Sequence, residues 1–401
     1  MHQKPETTAR MSERGFTLIE LLITMVIFVF TIAAASQIFT GLLTQFKQQS
    51  RIAETNIEGI VGLDILRQDI EHAGLGLPWN VTGIDDINVN DNLWDEVPGY
   101  TEASSAPYTD YNDAPNNPPG PFRSGNGAGL AAGIVAGSDY LVIKSAGVAP
   151  DDAAGKNTRL QSAPPYVRTW ALYTEDLSDT DRVIVLSPGS TDSNSRSLVV
   201  TGGSYHTQYS AVSASYAPVD DTDVRLVYGI SNANPLNTLR APFNRADYYI
   251  SAIALPRCAT GTGVLVKAAL NHSASAGVLE FTEMPLLDCV ADMQVIYALD
   301  NDDDGDFENG SGDAYSNSLA GLTSLQIRTR VKEVQVYILA HEGQRDPDFT
   351  FDNFTAGGTS VTVGRSAVFG RDFDLSAITD YLNYRWKVYT INVRTSNLSS
   401  L

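Results

Sequence analysis

Cysteine, histidine and basic residues are scarce in this 401-residue chain, and a long N-terminal stretch has no proline at all. Each shortage excludes something. The five histidines, His2, His72, His206, His272 and His341, have no zinc-ligand spacing. No Gly-x-Ser-x-Gly elbow occurs. The glycine run at Gly125, Gly127 and Gly129 has no lysine after it, and Gly261-Thr262-Gly263 lacks the rest of a phosphate loop. No enzyme is expected from these residues. Aspartate and glutamate number 47 against 27 lysines and arginines, a net charge of -20, so a phosphate backbone would be repelled and nucleic acid is not an expected partner. At 43% hydrophobic residues the chain is no disordered acidic tail.

Charge is also missing between Phe16 and Phe46, where Glu20 is the sole ionisable residue. A bilayer needs roughly 20 apolar residues, so this run is long enough to cross one. Lys4, Arg10 and Arg14 outnumber Glu6 and Glu13 ahead of it, which keeps that end cytoplasmic and places the rest of the chain outside. An ordinary secretory signal has its small-residue cleavage site after the apolar region. Here a glycine precedes it, in Arg14-Gly15-Phe16-Thr17-Leu18-Ile19-Glu20-Leu21-Leu22.

This block resembles the N-terminal signal of type IV prepilins. The resemblance implies a leader, residues 1–15, removed by prepilin peptidase between Gly15 and Phe16, with N-methylation of the new Phe16 terminus. It also implies that Glu20, fifth from the cut, neutralises the N-terminus of a neighbouring subunit during filament docking. A carboxylate in a membrane helix costs about 2.5–3.5 kcal/mol on insertion scales, so a functional role is the default. Pairing of Glu20 with its own Phe16 terminus, or placement among headgroups, stays open. The implied partners are other minor and major pilins, the peptidase and the inner-membrane pilus assembly platform. The implied location is the inner membrane as a single-pass precursor with a periplasmic head, then the pilus and cell surface.

The periodicity continues past the membrane. No proline lies between Pro5 and Pro78, and Ala53, Ile57, Ile60, Leu63, Leu66, Ile70 and Ala73 recur at helical spacing. Gly74, Gly76 and Pro78 supply the stop. A helical segment over 16–75 is expected, its helix from about Phe16 to Ala73 about 85 Å long at 1.5 Å per residue, spanning the membrane over about 16–43 and giving an apolar stripe to a head. Gly41, Gly59 and Gly62 weaken it by about 1 kcal/mol each relative to alanine. Major pilins commonly carry a proline where Gln37 stands, so its absence favours a minor pilin.

Residues 76–401 read as a strand-rich head, making the class α+β: a long helix on mostly antiparallel sheet. Expected strands are Tyr140–Ser145, Arg168–Tyr173, Arg182–Leu186, Ser197–Thr201, Val224–Tyr228, Tyr248–Ile253, Val264–Ala268, Val278–Thr282, Met293–Leu299, Ser324–Arg330, Glu333–Ala340, Ser360–Val363 and Trp386–Arg394. Residues 80–130, rich in proline, glycine and asparagine, read as a long surface loop, either a solvated insertion or a contact surface. Within 244–401, the blocks Asn244-Arg245-Ala246-Asp247-Tyr248-Tyr249-Ile250, Leu286 to Val295, Val331 to Leu339 and Tyr384 to Arg394 resemble PilW-type minor pilins. That resemblance implies a role in a priming or tip complex that promotes pilus assembly. A tip adhesin and a type II secretion pseudopilin are the alternatives.

Residues 300–313 hold seven carboxylates in fourteen positions. Asp300, Asp302 and Asp304 stand at positions 1, 3 and 5 of a calcium loop, with Gly305 at 6, Asp306 at 7 and Glu308 at 9. Position 12 is Ser311 rather than glutamate, and Asp313 is the candidate replacement. Structural calcium and a solvated acidic turn are equally open; no other cofactor is expected. Cys258 and Cys289 fit either a disulfide, which would add roughly 3–4 kcal/mol in the chain-entropy view, or two buried thiols.

Overall fold

The computed structural model describes residues 15–84, 93–126, 133–164, 166–170, 172–188, 196–232, 238–272, 279–308, 310, 312–366 and 368–398. Leader residues 1–14, including the expected charge excess at Lys4, Arg10 and Arg14, lie outside the described residues, as do Gly127, Gly129, Val278 and Ser311. By contacts the chain forms two units, one ending at Ala53 and one beginning at Glu54.

One helix, α1 (Leu18–Glu71), runs for 54 residues. It starts on a reciprocal cap: Glu20 N–H donates to Thr17 Oγ1 (3.3 Å), and Thr17 N–H donates to Glu20 Oε2 (2.9 Å). In the first unit its threonine side chains are turned inward on the backbone. Thr24, Thr31, Thr40 and Thr44 donate their hydroxyls to carbonyls four residues back, at 2.7–3.0 Å, which removes unsatisfied donors from an apolar surface. The helix ends where Gly74 (φ +77°) and Gly76 (φ +63°) take left-handed backbone.

The second unit carries sixteen strands among the described residues: β1 (Asn80–Thr82), β2 (Phe122–Asn126), β3 (Asp139–Ser145), β4 (Asn157–Leu160), β5 (Arg182–Pro188), β6 (Arg196–Val199), β7 (His206–Gln208), β8 (Arg225–Ser231), β9 (Asn244–Ser251), β10 (Gly263–Leu270), β11 (Phe281–Leu299), β12 (Ala314–Ser316), β13 (Val331–Glu342), β14 (Ser360–Gly364), β15 (Gly370–Asp374) and β16 (Arg385–Arg394). The larger sheet runs β16-β13-β11-β10-β9-β3-β2, with β12 on β11; the smaller runs β1-β6-β5-β8-β4, with β7 on β5; β14 and β15 pair alone. Pairing is antiparallel throughout except β1 with β6. The expected α+β class, a long helix followed by a mostly antiparallel β-rich head, is what the chain forms.

Several expectations need correction. Ser324–Arg330 is a helix, α2 being Val212–Ser215 and α3 this segment. Thr323 and Gln326 form a full capping box there, outweighing the alternating pattern. Arg168–Tyr173 forms no strand among the described residues; an isolated bridge, Leu160 to Val167, precedes it. The expected strands ending at Thr282 and beginning at Met293 are parts of one 19-residue strand, β11. Its register shifts against both neighbours around Cys289, which sits at φ +58°.

The expected surface loop over 80–130 is a packed segment where described, containing β1 and β2. Trp94, Val97 and Tyr100 are buried with Leu198 and Phe243. Glu102 and Asp113 are buried too, and they are held by charge. Lys144 Nζ on β3 lies 2.7 Å from Glu102 Oε2 and 2.6 Å from Asp113 Oδ2, all three side chains being fully buried. Arg245 on β9 reaches Glu102 (3.0 Å) and Asp247 (2.8 Å), and Arg123 reaches Asp113 (2.5 Å). Burial opposes the Asp113 charge, but Lys144 and Arg123 outweigh it and hold its pKa below the ordinary value.

Candidate functional site

Gly15, Phe16 and Thr17 precede the first turn of α1 and are exposed, and Phe16 is 85% exposed. Glu20 is also exposed, and its Oε2 accepts both the Thr17 N–H and the Thr17 hydroxyl at 2.9 Å. Both members of this cap lie on the far side of a Gly15–Phe16 cut, so processing would leave the cap intact. The carboxylate therefore has a local partner before any neighbour arrives, which the residue pattern Thr17-x-x-Glu20 was sufficient to signal.

From Leu18 to Phe46 the large apolar side chains stand exposed, and an 18-residue window of α1 reaches a mean hydropathy of 2.5. In length and composition this is a helix able to cross a bilayer. An apolar surface this extensive on a monomer marks a region that lipid or partners cover.

Within the second unit, the end of α1 docks on the larger sheet. Leu63, Leu66 and Ile70 are buried against Phe122, Leu141, Ile143, Leu265 and Val295. Asp69 fixes the orientation: its Oδ2 lies 2.5 Å from Lys267 Nζ and accepts the Tyr248 hydroxyl. Burial raises the Asp69 pKa against the pull of Lys267. Gly62 allows the close approach, since a Cβ there would lie 2.1 Å from the Leu286 carbonyl oxygen. The expected apolar stripe is only partly used. Ile57 and Ile60, with their neighbour Val61, remain 64%, 67% and 59% exposed.

The two cysteines are joined: Cys258 and Cys289 form a disulfide with Cα atoms 5.0 Å apart. His341 on β13 lies beside it and accepts the Ala259 N–H at Nε2 (2.9 Å). In the acidic turn between β11 and β12, carboxylate oxygens of Asp300, Asp302 and Asp304 converge within 4.8 Å of one another. Asp306, Glu308 and Asp313 are not in that group among the described residues. Asp313 instead accepts the Asn301 N–H (2.9 Å) and the Glu308 N–H (2.7 Å), closing the turn.

Residues 10–36 match the family described as the prokaryotic N-terminal methylation motif. No curated protein and no solved structure matches the chain. The N-terminus thus carries a prepilin-type signal, which supports a type IV pilin- or pseudopilin-like protein processed by prepilin peptidase and assembled with other pilins. Together with the apolar half of α1, that signal fits inner-membrane anchoring followed by incorporation into a filament.

Proposed function

We propose that this chain is a minor pilin of the PilW type, a non-enzymatic subunit that enters a type IV pilus through α1 and promotes assembly in a priming or tip complex. Its head would face the periplasm before incorporation and the cell exterior afterwards. The observation that carries this reading is the prepilin-type motif at residues 10–36 leading directly into an exposed apolar helix. The proline-free α1 supports the minor class, and the exposed Ile57, Ile60 and Val61 support incorporation, as an apolar surface that a neighbouring pilin helix would cover.

Mass spectrometry of the N-terminus, from sheared filaments and from membranes, tests the reading. A methylated Phe16 terminus is expected in both fractions, at low abundance in the filaments, together with loss of filaments on gene deletion. An intact leader in both fractions would overturn the reading altogether. Normal filaments that fail to adhere would assign the head to adhesion, and blocked protein secretion would make the chain a pseudopilin.

A further inference from the structure

The loop between β11 and β12 has the chemistry of a cation site. Asp300 closes β11 and is only 1% exposed, whereas Asp302 and Asp304 are exposed on the turn. One oxygen of Asp300 is committed: Oδ2 pairs with Lys332 Nζ (3.1 Å) and accepts the Gly305 N–H (3.0 Å). The other, Oδ1, is buried and finds no hydrogen-bond partner among the described residues. A buried carboxylate oxygen without a partner is a position that a cation would satisfy. Carboxylate oxygens of the same three aspartates lie within 4.8 Å of one another.

The rest of the turn holds this convergence in place. Gly305 takes φ +106°, a conformation that other residues rarely adopt, and its N–H ties the sixth position back to the first. Asp313 closes the turn through two backbone N–H groups, and Arg330 draws Asp303 to a separate ion pair at 3.2 Å. Three converging carboxylates against the single ammonium of Lys332 leave a local excess of two negative charges.

We propose that Asp300, Asp302 and Asp304 bind one calcium ion that pins the β11–β12 turn. The all-oxygen donor set selects a hard cation over zinc, and calcium accepts irregular oxygen cages that the strict octahedron of magnesium does not. The role is structural: the ion would link the end of β11, a central strand of the larger sheet, to the loop that follows it.

Calcium titration of the full-length chain in detergent micelles, after chelator treatment, tests the site by calorimetry and thermal melting. The parent should take up about one calcium per chain and melt at a higher temperature with the ion than without it. Asp302→Asn combined with Asp304→Asn should weaken uptake on the order of tenfold or more and abolish the melting shift. Both residues are exposed, so the variant should fold like the parent. Asp303→Asn, which removes an adjacent carboxylate outside the group, should keep uptake. No saturable uptake by the parent would overturn the proposal. So would unchanged affinity in the double variant, equal loss in Asp303→Asn, or displacement of calcium by an equal concentration of magnesium.

Discussion

Replacing Gly62 by alanine tests how α1 is seated in the second unit. The added Cβ would lie 2.1 Å from the Leu286 carbonyl oxygen and 2.7 Å from its carbonyl carbon, where ordinary contact begins at 3.4 Å. The obstacle is backbone, and it belongs to a strand held on both sides: Pro285 and Leu287 pair with β10, and β11 pairs with β13 from Val290 onward. The helix must therefore retreat by on the order of an ångström, loosening Leu63, Leu66 and Ile70 and stretching the Asp69–Lys267 pair. Overpacking of this kind costs about 1–3 kcal/mol, and alanine returns about 1 kcal/mol in helix propensity. A net loss of up to about 2 kcal/mol, toward the upper end because the obstacle is backbone, is expected in urea unfolding followed by tryptophan fluorescence. Two other glycines calibrate it. At Gly59 the nearest atom is the Leu287 Cδ1 at 3.2 Å, a side-chain end that can move, so alanine there should be near neutral. At Gly41 nothing lies within 4 Å, so alanine should leave the unfolding of the second unit unchanged. If Gly62→Ala unfolds at the parental urea concentration or above, the close seating of α1 on β11 is wrong.

The remaining predictions concern charge. His272 is held neutral, with Arg240 N–H donating to Nδ1 (3.3 Å) and Nε2 meeting Asn244 Oδ1 (2.9 Å); burial, then Arg240 and His206, lowers its pKa from 6.5 to about 3. Below pH 6.5 the unfolded chain takes up a proton that the folded chain refuses, so this residue's contribution is constant above pH 6.5 and falls by about 1.4 kcal/mol per pH unit below it, until about pH 3. His272→Gln should flatten that fall relative to the parent, and parallel pH–stability curves would count against the argument. Lys144→Met strips the shared cation from fully buried Glu102 and Asp113 and should cost about 3–5 kcal/mol, with early proteolysis in the segment from 93 to 121. Parental stability and cleavage in that variant would show that the buried charges are not what holds the segment. Glu20→Ala should still be cut at Gly15 but lose the carboxylate half of the reciprocal cap and become depleted in sheared filaments. A processed Glu20→Ala protein at parental filament levels would remove the carboxylate from assembly.

What the residues disclosed, and what they hid, follows the sequence distance over which each feature is decided. α1 was legible because its causes are local: an apolar run, no proline, and glycines at its end. The Asp300 to Gly305 turn was legible for the same reason, since its aspartates and its left-handed glycine sit within six positions. Helix α3 was missed although its signal was equally local; Ser324-Leu-Gln-Ile-Arg alternates like a strand, and Thr323 with Gln326 is the capping box that decides otherwise. The stripe on α1 failed differently. Periodicity locates a face but not the length of it that a head covers, so Ile57 and Leu63 read alike and end exposed and buried. The segment holding Glu102 and Asp113 is the opposite limit. Prolines and polar residues surround both, and the partners that bury them, Lys144 and Arg245, stand 42 and 143 residues from Glu102. A buried ion pair is a long-range fact: either half alone is indistinguishable from a solvated charge, and only the fold that brings them together makes burial cheaper than exposure.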